Sequence, residues 1–286
     1  MIAGAPLDAA RVGRDGALRL QFERRGPATV VAGCRSTLPL QVLAPLALDD
    51  PAAIVSILNP TGGLVGGDRL SIDVNLAAGA HAVLTTPSAT RVYRTDAEEA
   101  TQSVKLALGP RAVVEWVPDH TIPFAGSAFR QAIDVDMDAT AGLILVDAFS
   151  AGRIARGEAW RFAALESAVS IRDQYGWLLH DRFVLRGPVA KDDPAWDGLG
   201  CGELHPYFAS IAIVGAFDLE QLTAEVRRLW AGGSATSVGV AALARRGALV
   251  RCLAASAPAL IDTIEICWGL SRRALLGLPP LRLRKA

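Results

Sequence analysis

Between Arg69 and Leu76 the side chains alternate without a break. Leu70, Ile72, Val74 and Leu76 fall on one side, and Ser71, Asp73 and Asn75 on the other. A two-residue period of this kind is a strand with one buried face. The pattern recurs. "SIDVNLAAGAHAVLTT", "SVKLALGPRAVVEWV" and "AIDVDMDATAGLILVD" each read as an alternating strand, a short turn at Gly79, Gly109 or Gly142, and a second strand. Recurrence at a spacing of tens of residues predicts stacked β units, as in a solenoid or β-helix-like body, although a β-sandwich gives the same signal. "AAIVSILNP" upstream and "GEAWRFAALESAVSIRDQYGWLLHDRFVLRG" downstream read as further strands, and the Gly- and Pro-rich "DPAWDGLGCGELHP" reads as a loop.

The helical period appears only late. Asp218 and Gln221 resemble a capping box, Leu219, Leu222, Val226 and Leu229 mark one apolar face, and Gly232–Gly233 stop the helix. "TSVGVAALARRGALVRCLAAS" reads as a hairpin. Ser256 caps a second helix, with Pro258 in its first turn and Ile261, Ile264 and Trp268 turned inward. The expected fold is mainly β. A solenoid-like body of stacked strands covers about residues 18–215, and a helix–hairpin–helix end over about 216–286 packs on it, all within one domain of 286 residues.

Composition narrows the classes of function. Lys+Arg and Asp+Glu both number 29, so net charge points to neither a nucleic-acid nor an acidic-membrane partner. Hydrophobic residues reach 51% without glycine, which suits a large core or a surface covered by a partner. No apolar run reaches the roughly 18 residues of a membrane helix, and the first residues lack the basic and apolar regions of a signal peptide. The four cysteines, at 34, 201, 252 and 267, stand far apart. A disulfide framework is not expected, and a cytoplasmic protein is the simplest reading.

One stretch invites a chemical reading. "NPTGGLVGGDRL" carries Asn59, Pro60, Gly62, Gly63, Gly66 and Gly67, followed directly by Asp68. Glycine loops that hold phosphate open a helix and commonly supply a lysine. Here a strand follows, there is no lysine, and Asp68 would repel an anion. Turns needing positive φ, or two backbones meeting closely, account for the glycines instead.

In order and spacing, "LNPTGGLVGGDRL", "GAHAVLTTPSATRVYR", "VEWVPDHTIPFAGS" and "LVDAFSAGR", with the arginine-rich "LRLQFERRGPATVVAGCRSTLPLQV", closely resemble the UreD (UreH) family of urease accessory proteins. The resemblance runs from about Leu18 to the last helix. Two features depart from it: Asp119–His120 stands where the family often has Gln-Glu, and the chain ends "LRLRKA" without the family's usual tryptophan. The resemblance implies a β-helix-like fold and a non-enzymatic protein. It implies binding to apo-urease and to the helical accessory protein UreF, which recruits the GTPase UreG. It also implies nickel in transit through a water-filled interior, with no tightly bound cofactor.

A cation path through a β body places carboxylates where apolar residues belong, and buried charge demands a reason. Asp68 closes the glycine loop, Asp147 interrupts "GLILVDAF" and Asp181 sits in "WLLHDRFVL". Thr90 is a polar companion whose place matches the family motif near the path. The alternative is structural: Asp68 caps its own turn, and Asp147 and Asp181 pair with arginines such as Arg153 or Arg182. A tight nickel site has less support. The four histidines show no H-x-x-x-H spacing, and only Cys201, Glu203 and His205 gather in sequence. His180 is either a partner that orients Asp181 or a satisfied strand histidine. No hydrolase or metalloenzyme motif is present. The remaining alternative is a β-solenoid binding module with no part in metal delivery.

Overall fold

The computed structural model describes residues 14–46, 48–96, 98–187, 202–231 and 235–283. The chain enters through a hairpin, β1 (Asp15–Arg25) and β2 (Ala28–Ser36), and a short edge strand, β3 (Gln41–Val42). Four coils follow, each laying one main strand in each of two sheets. The first coil is β4 (Ala53–Leu58) and β5 (Arg69–Leu76). The second is β6 (His81–Thr85), the short β7 (Thr90–Val92) and β8 (Ala100–Leu108). The third is β9 (Val113–Val117), the short β10 (Thr121–Pro123) and β11 (Ala128–Met137), and the fourth is β12 (Gly142–Ser150) and β13 (Ala164–Asp173). β14 (Gly176–Arg186) folds back on β13, and β15 (Tyr207–Val214) lies against β12. Then come α1 (Leu219–Trp230), the hairpin β16 (Thr236–Ala242) and β17 (Gly247–Ala254), and α2 (Ala257–Leu276).

β5, β8, β11 and β13 are mutually parallel, and so are β4, β6, β9 and β12. Parallel pairing between successive coils decides for the solenoid over the sandwich, whose strands pair antiparallel. The register stacks like on like: Ile72 faces Val104, which faces Ile133, which faces Val169. These inward residues and their counterparts from β4, β6, β9 and β12 form the main core. A second core lies on the other face of the β12 sheet, under α1 and α2. This explains the unbroken apolar run of β12, in which Leu143 and Leu145 join one core while Ile144 and Val146 join the other.

The C-terminal hairpin is part of a sheet rather than laid upon one, because β17 pairs with β15. Asp218 caps α1 by accepting from the Gln221 N–H at 2.9 Å. The reciprocal half of the box does not form, since the Gln221 amide turns to Glu225. Leu229 is 43% exposed. The buried face runs Leu222, Val226 and then Trp230, whose indole N–H is tied to Thr236 Oγ1 at 2.8 Å and takes the place foreseen for leucine. Ile261 is 39% exposed, because the face of α2 is centred on Leu260, Ile264, Cys267 and Ser271. Gly232–Gly233 lie outside the described residues.

α2 is also held by charge. Glu115, fully buried on β9, accepts from Arg272 Nη1 at 2.6 Å and from Trp268 Nε1 at 2.5 Å, and its carboxylate lies 2.7 Å from His81 Nε2. Arg272 also pairs with Asp50 and donates to the Pro279 carbonyl at 3.0 Å.

Candidate functional site

The glycine loop joins β4 to β5 and is built from its own backbone. Asn59 opens a turn in which Pro60 takes the second position and the Gly62 N–H returns to the Asn59 carbonyl at 3.3 Å. The Asn59 side chain accepts from the Thr61 N–H and donates to the Gly63 carbonyl at 3.1 Å. The loop then runs beside β7, with the Leu64 N–H on Arg91 O and the Tyr93 N–H on Leu64 O, both at 2.8 Å. Gly63 has φ +154°, and a Cβ there would strike the Arg91 carbonyl; one on Gly66 would strike Thr95. These glycines permit close approach of two chain segments. Asp68 completes the loop: its carboxylate accepts from the Val65 N–H at 2.8 Å. Burial raises its pKa, while that N–H and the positive charge of Arg14 act to lower it.

Asp147 sits elsewhere, in the inward series of β12 with Leu143, Leu145 and Phe149. Pairing with β9 ends at Leu145 and resumes on β10 only at Phe149, so Asp147 falls in a gap on that side. Its Oδ1 accepts from Gln131 Nε2 at 2.8 Å and its Oδ2 from Ser167 Oγ at 2.7 Å. The Gln131 Oε1 in turn accepts from Gln102 Nε2 at 2.9 Å. Desolvation outweighs the Ser167 and Gln131 hydrogen bonds and, helped by the negative charge of Asp181, pushes the carboxyl up to about 6.

Two cavities meet at this side chain. One, of about 200 Å³, is lined by Asn59, Gly63, Thr90, Gln102, Gln131 and Asp147 among others. The other, of about 270 Å³, is lined by Asp147, Asp181, Phe183, Phe208 and Arg251 among others. Thr90 begins β7, its N–H held by the His120 carbonyl at 3.1 Å. Asp181, on β14, accepts from Arg251 Nη2 at 2.7 Å. The arginines expected for these aspartates are engaged elsewhere, Arg153 with Glu158 and Arg182 with Glu166. Asp147 thus borders both spaces, Thr90 the first and Asp181 the second, and Asp68 borders neither.

Among the described residues, no group of three or more His, Cys, Asp or Glu side chains is arranged to hold a metal ion. Cys201 lies outside the described residues. His180 turns from Asp181 and meets Ser170 Oγ at 3.1 Å. No helix is long and apolar enough to cross a membrane among the described residues.

Gln102, Gln131 and Ser167 are absent from the reading of the sequence, though a signal exists. "TQSVKL", "RQAIDV" and "ESAVSI" each place a polar residue at the same phase, two positions before an inward Val or Ile. Only the register shows that they share a row.

The model of the UreD urease accessory protein family matches residues 14–286. Three relatives named urease accessory protein UreD are similar to the chain. That of Deinococcus radiodurans is 34% identical over 288 residues, covering 99% of each protein. That of Herpetosiphon aurantiacus is 32% identical, covering 94% of this chain and 96% of its own. That of Delftia acidovorans is 38% identical over 190 residues, covering 66% of this chain and 59% of its own. With a family match running from the first strand past the last helix, the chain belongs to the UreD family of urease accessory proteins.

Proposed function

We propose that this chain is a non-enzymatic scaffold of urease maturation that binds apo-urease and passes nickel to it through its interior, in concert with UreF and UreG. Membership of the UreD family supports the role in maturation. The observation that carries the interior route is Asp147, a buried carboxylate bordering two cavities, one flanked by Thr90 and the glycine loop and the other by Asp181. A route needs oxygen donors, which hold a borderline cation such as nickel weakly, whereas a tight nitrogen or sulfur site would retain it. The protein's part is passage and docking, with nickel as cargo.

The test is the nickel content of urease matured in the presence of variants, alongside a pull-down of the complete complex. Asp147→Ala and Thr90→Trp are expected to leave assembly intact and lower nickel per urease severalfold, the first by removing charge and the second by filling the space. Full loading with Asp68, Asp147 and Asp181 all replaced would refute the route. Loss of assembly in the single variants would assign these residues to the fold instead.

A further inference from the structure

Both Asp147 oxygens face a hydrogen-bond donor in this structure, and each donor hydrogen repels a cation on its side of the carboxylate. Oδ1 is taken by the Gln131 amide N–H and Oδ2 by the Ser167 hydroxyl. Ser167 is no obstacle, since a hydroxyl can rotate and present a lone pair. Gln131 is one, because its NH₂ group is a donor only, and it points at the carboxylate. The carboxylate itself dictates that orientation, because an amide oxygen at 2.8 Å would be repelled. Gln102 pairs with it on the other side, donating its own NH₂ to Gln131 Oε1 at 2.9 Å. The two glutamines occupy matched positions on adjacent coils, β8 and β11, and both line the cavity of about 200 Å³.

We propose that the Gln102–Gln131 amide pair is an orientation switch that admits a divalent cation to Asp147. A half-turn of the Gln131 amide puts Oε1 where Nε2 was and gives the cation a neutral oxygen ligand beside the carboxylate. Oxygen and nitrogen are nearly equal in size, so the turn requires no repacking. Gln131 Nε2 then faces Gln102, and a matching half-turn of Gln102 supplies the acceptor. Each end state has the glutamines paired with one another, and a cation at Asp147 selects between them. Gln131 is therefore a ligand of the passing ion. Gln102 is a positioning residue that keeps the Gln131 amide paired in either state, and the Gln131–Asp147 hydrogen bond holds the pair closed when the ion is absent, by about one hydrogen bond, or about a fivefold population ratio.

This inference rests on the interior route, and the experiment separates the two. Nickel transfer to apo-urease is followed at limiting nickel in the complete complex, with assembly checked by pull-down. Gln131→Leu, which removes the oxygen ligand at similar volume, is expected to slow loading at least about fivefold. Gln131→Glu, which presents oxygen in either orientation, is expected to load as fast as the unaltered protein or faster. Gln102→Leu, which leaves the ligand and removes the same hydrogen bond from both end states, is expected to load no slower. A purely structural role for this row predicts slowing by all three. Slowing by Gln131→Glu or Gln102→Leu in assembled complexes, or full loading by Gln131→Leu, overturns the switch. If Gln131→Leu does not assemble, the other two variants decide. Asp147→Asn marks the route itself: if it loads fully, route and switch fall together, and if it loads poorly while Gln131→Leu loads fully, only the switch falls.

Discussion

A carboxylate whose pKa is raised by burial is a liability to the fold at neutral pH, and Asp147 carries that signature. Its native value of about 6 lies above the roughly 3.9 of an unfolded chain. Between those values the folded protein keeps a proton that the unfolded one has lost. Stability therefore falls as pH rises from about 4 to 6, and by pH 7 the loss from this group is about 3 kcal/mol. Asparagine can accept from Gln131 and donate to Ser167 without ionising. Asp147→Asn is thus expected to match the unaltered protein at pH 4 and to exceed it by up to about 3 kcal/mol at pH 7, measured by urea unfolding at both values. A difference independent of pH would contradict this. The same substitution is expected to impair nickel loading, so stability and function should move in opposite directions, as at other sites where a fold tolerates strain for activity. Asp68 differs, for its buried carboxylate caps the Val65 N–H and serves the loop.

Among the elements, α2 depends most on one buried cluster. Glu115 and Arg272 are both fully buried, and Arg272 connects β9, Asp50 and the Pro279 carbonyl. Arg272→Met leaves Glu115 with only His81 and Trp268, and Asp50 without its cation. Removing one partner of a buried pair costs roughly 3–5 kcal/mol. Denaturant unfolding followed by tryptophan fluorescence should show a loss of that size, and a loss under about 1 kcal/mol would mean that water enters the cluster. No reading of the sequence foresaw this latch, because its members are scattered from Asp50 to Arg272 and no local period links them. What could be read locally was read: the alternation of β5, the turns at Gly79 and Gly109, and the caps at Asp218 and Ser256. The interior row was half legible. Asp147 stood out as a charge in an apolar run, whereas Gln102, Gln131 and Ser167 each looked like the polar half of an ordinary strand. Their meaning comes from stacking at right angles to the chain, which a single sequence does not display.

At the scale of the whole molecule, the coils are covered on one side by helices and less completely at the edge beyond β4. There Leu38, Leu43, Leu46 and Leu48 are each about half exposed, beside β3 and the bridge from Leu46 to Ile54. An exposed apolar strip along a sheet edge favours self-association. The isolated chain is expected to have low soluble yield, and Leu43→Lys with Leu46→Lys to raise it with little change in melting temperature. Unchanged yield would place the cause elsewhere. The parallel stacking has a kinetic consequence as well. Gln131 finds one partner 29 residues back and another 36 residues ahead, and no hairpin brings either close. Contacts of such long loops form slowly, since closure entropy is lost before any pairing is gained. The local hairpins β1–β2, β13–β14 and β16–β17 lie at the margins, so the middle coils have no local nucleus of their own. A partly synthesised chain then ends in an open parallel edge that the next coil has yet to cover. Cells making this protein should benefit from slow translation and low temperature, and deleting one interior coil should halt folding at the break instead of yielding a shorter solenoid.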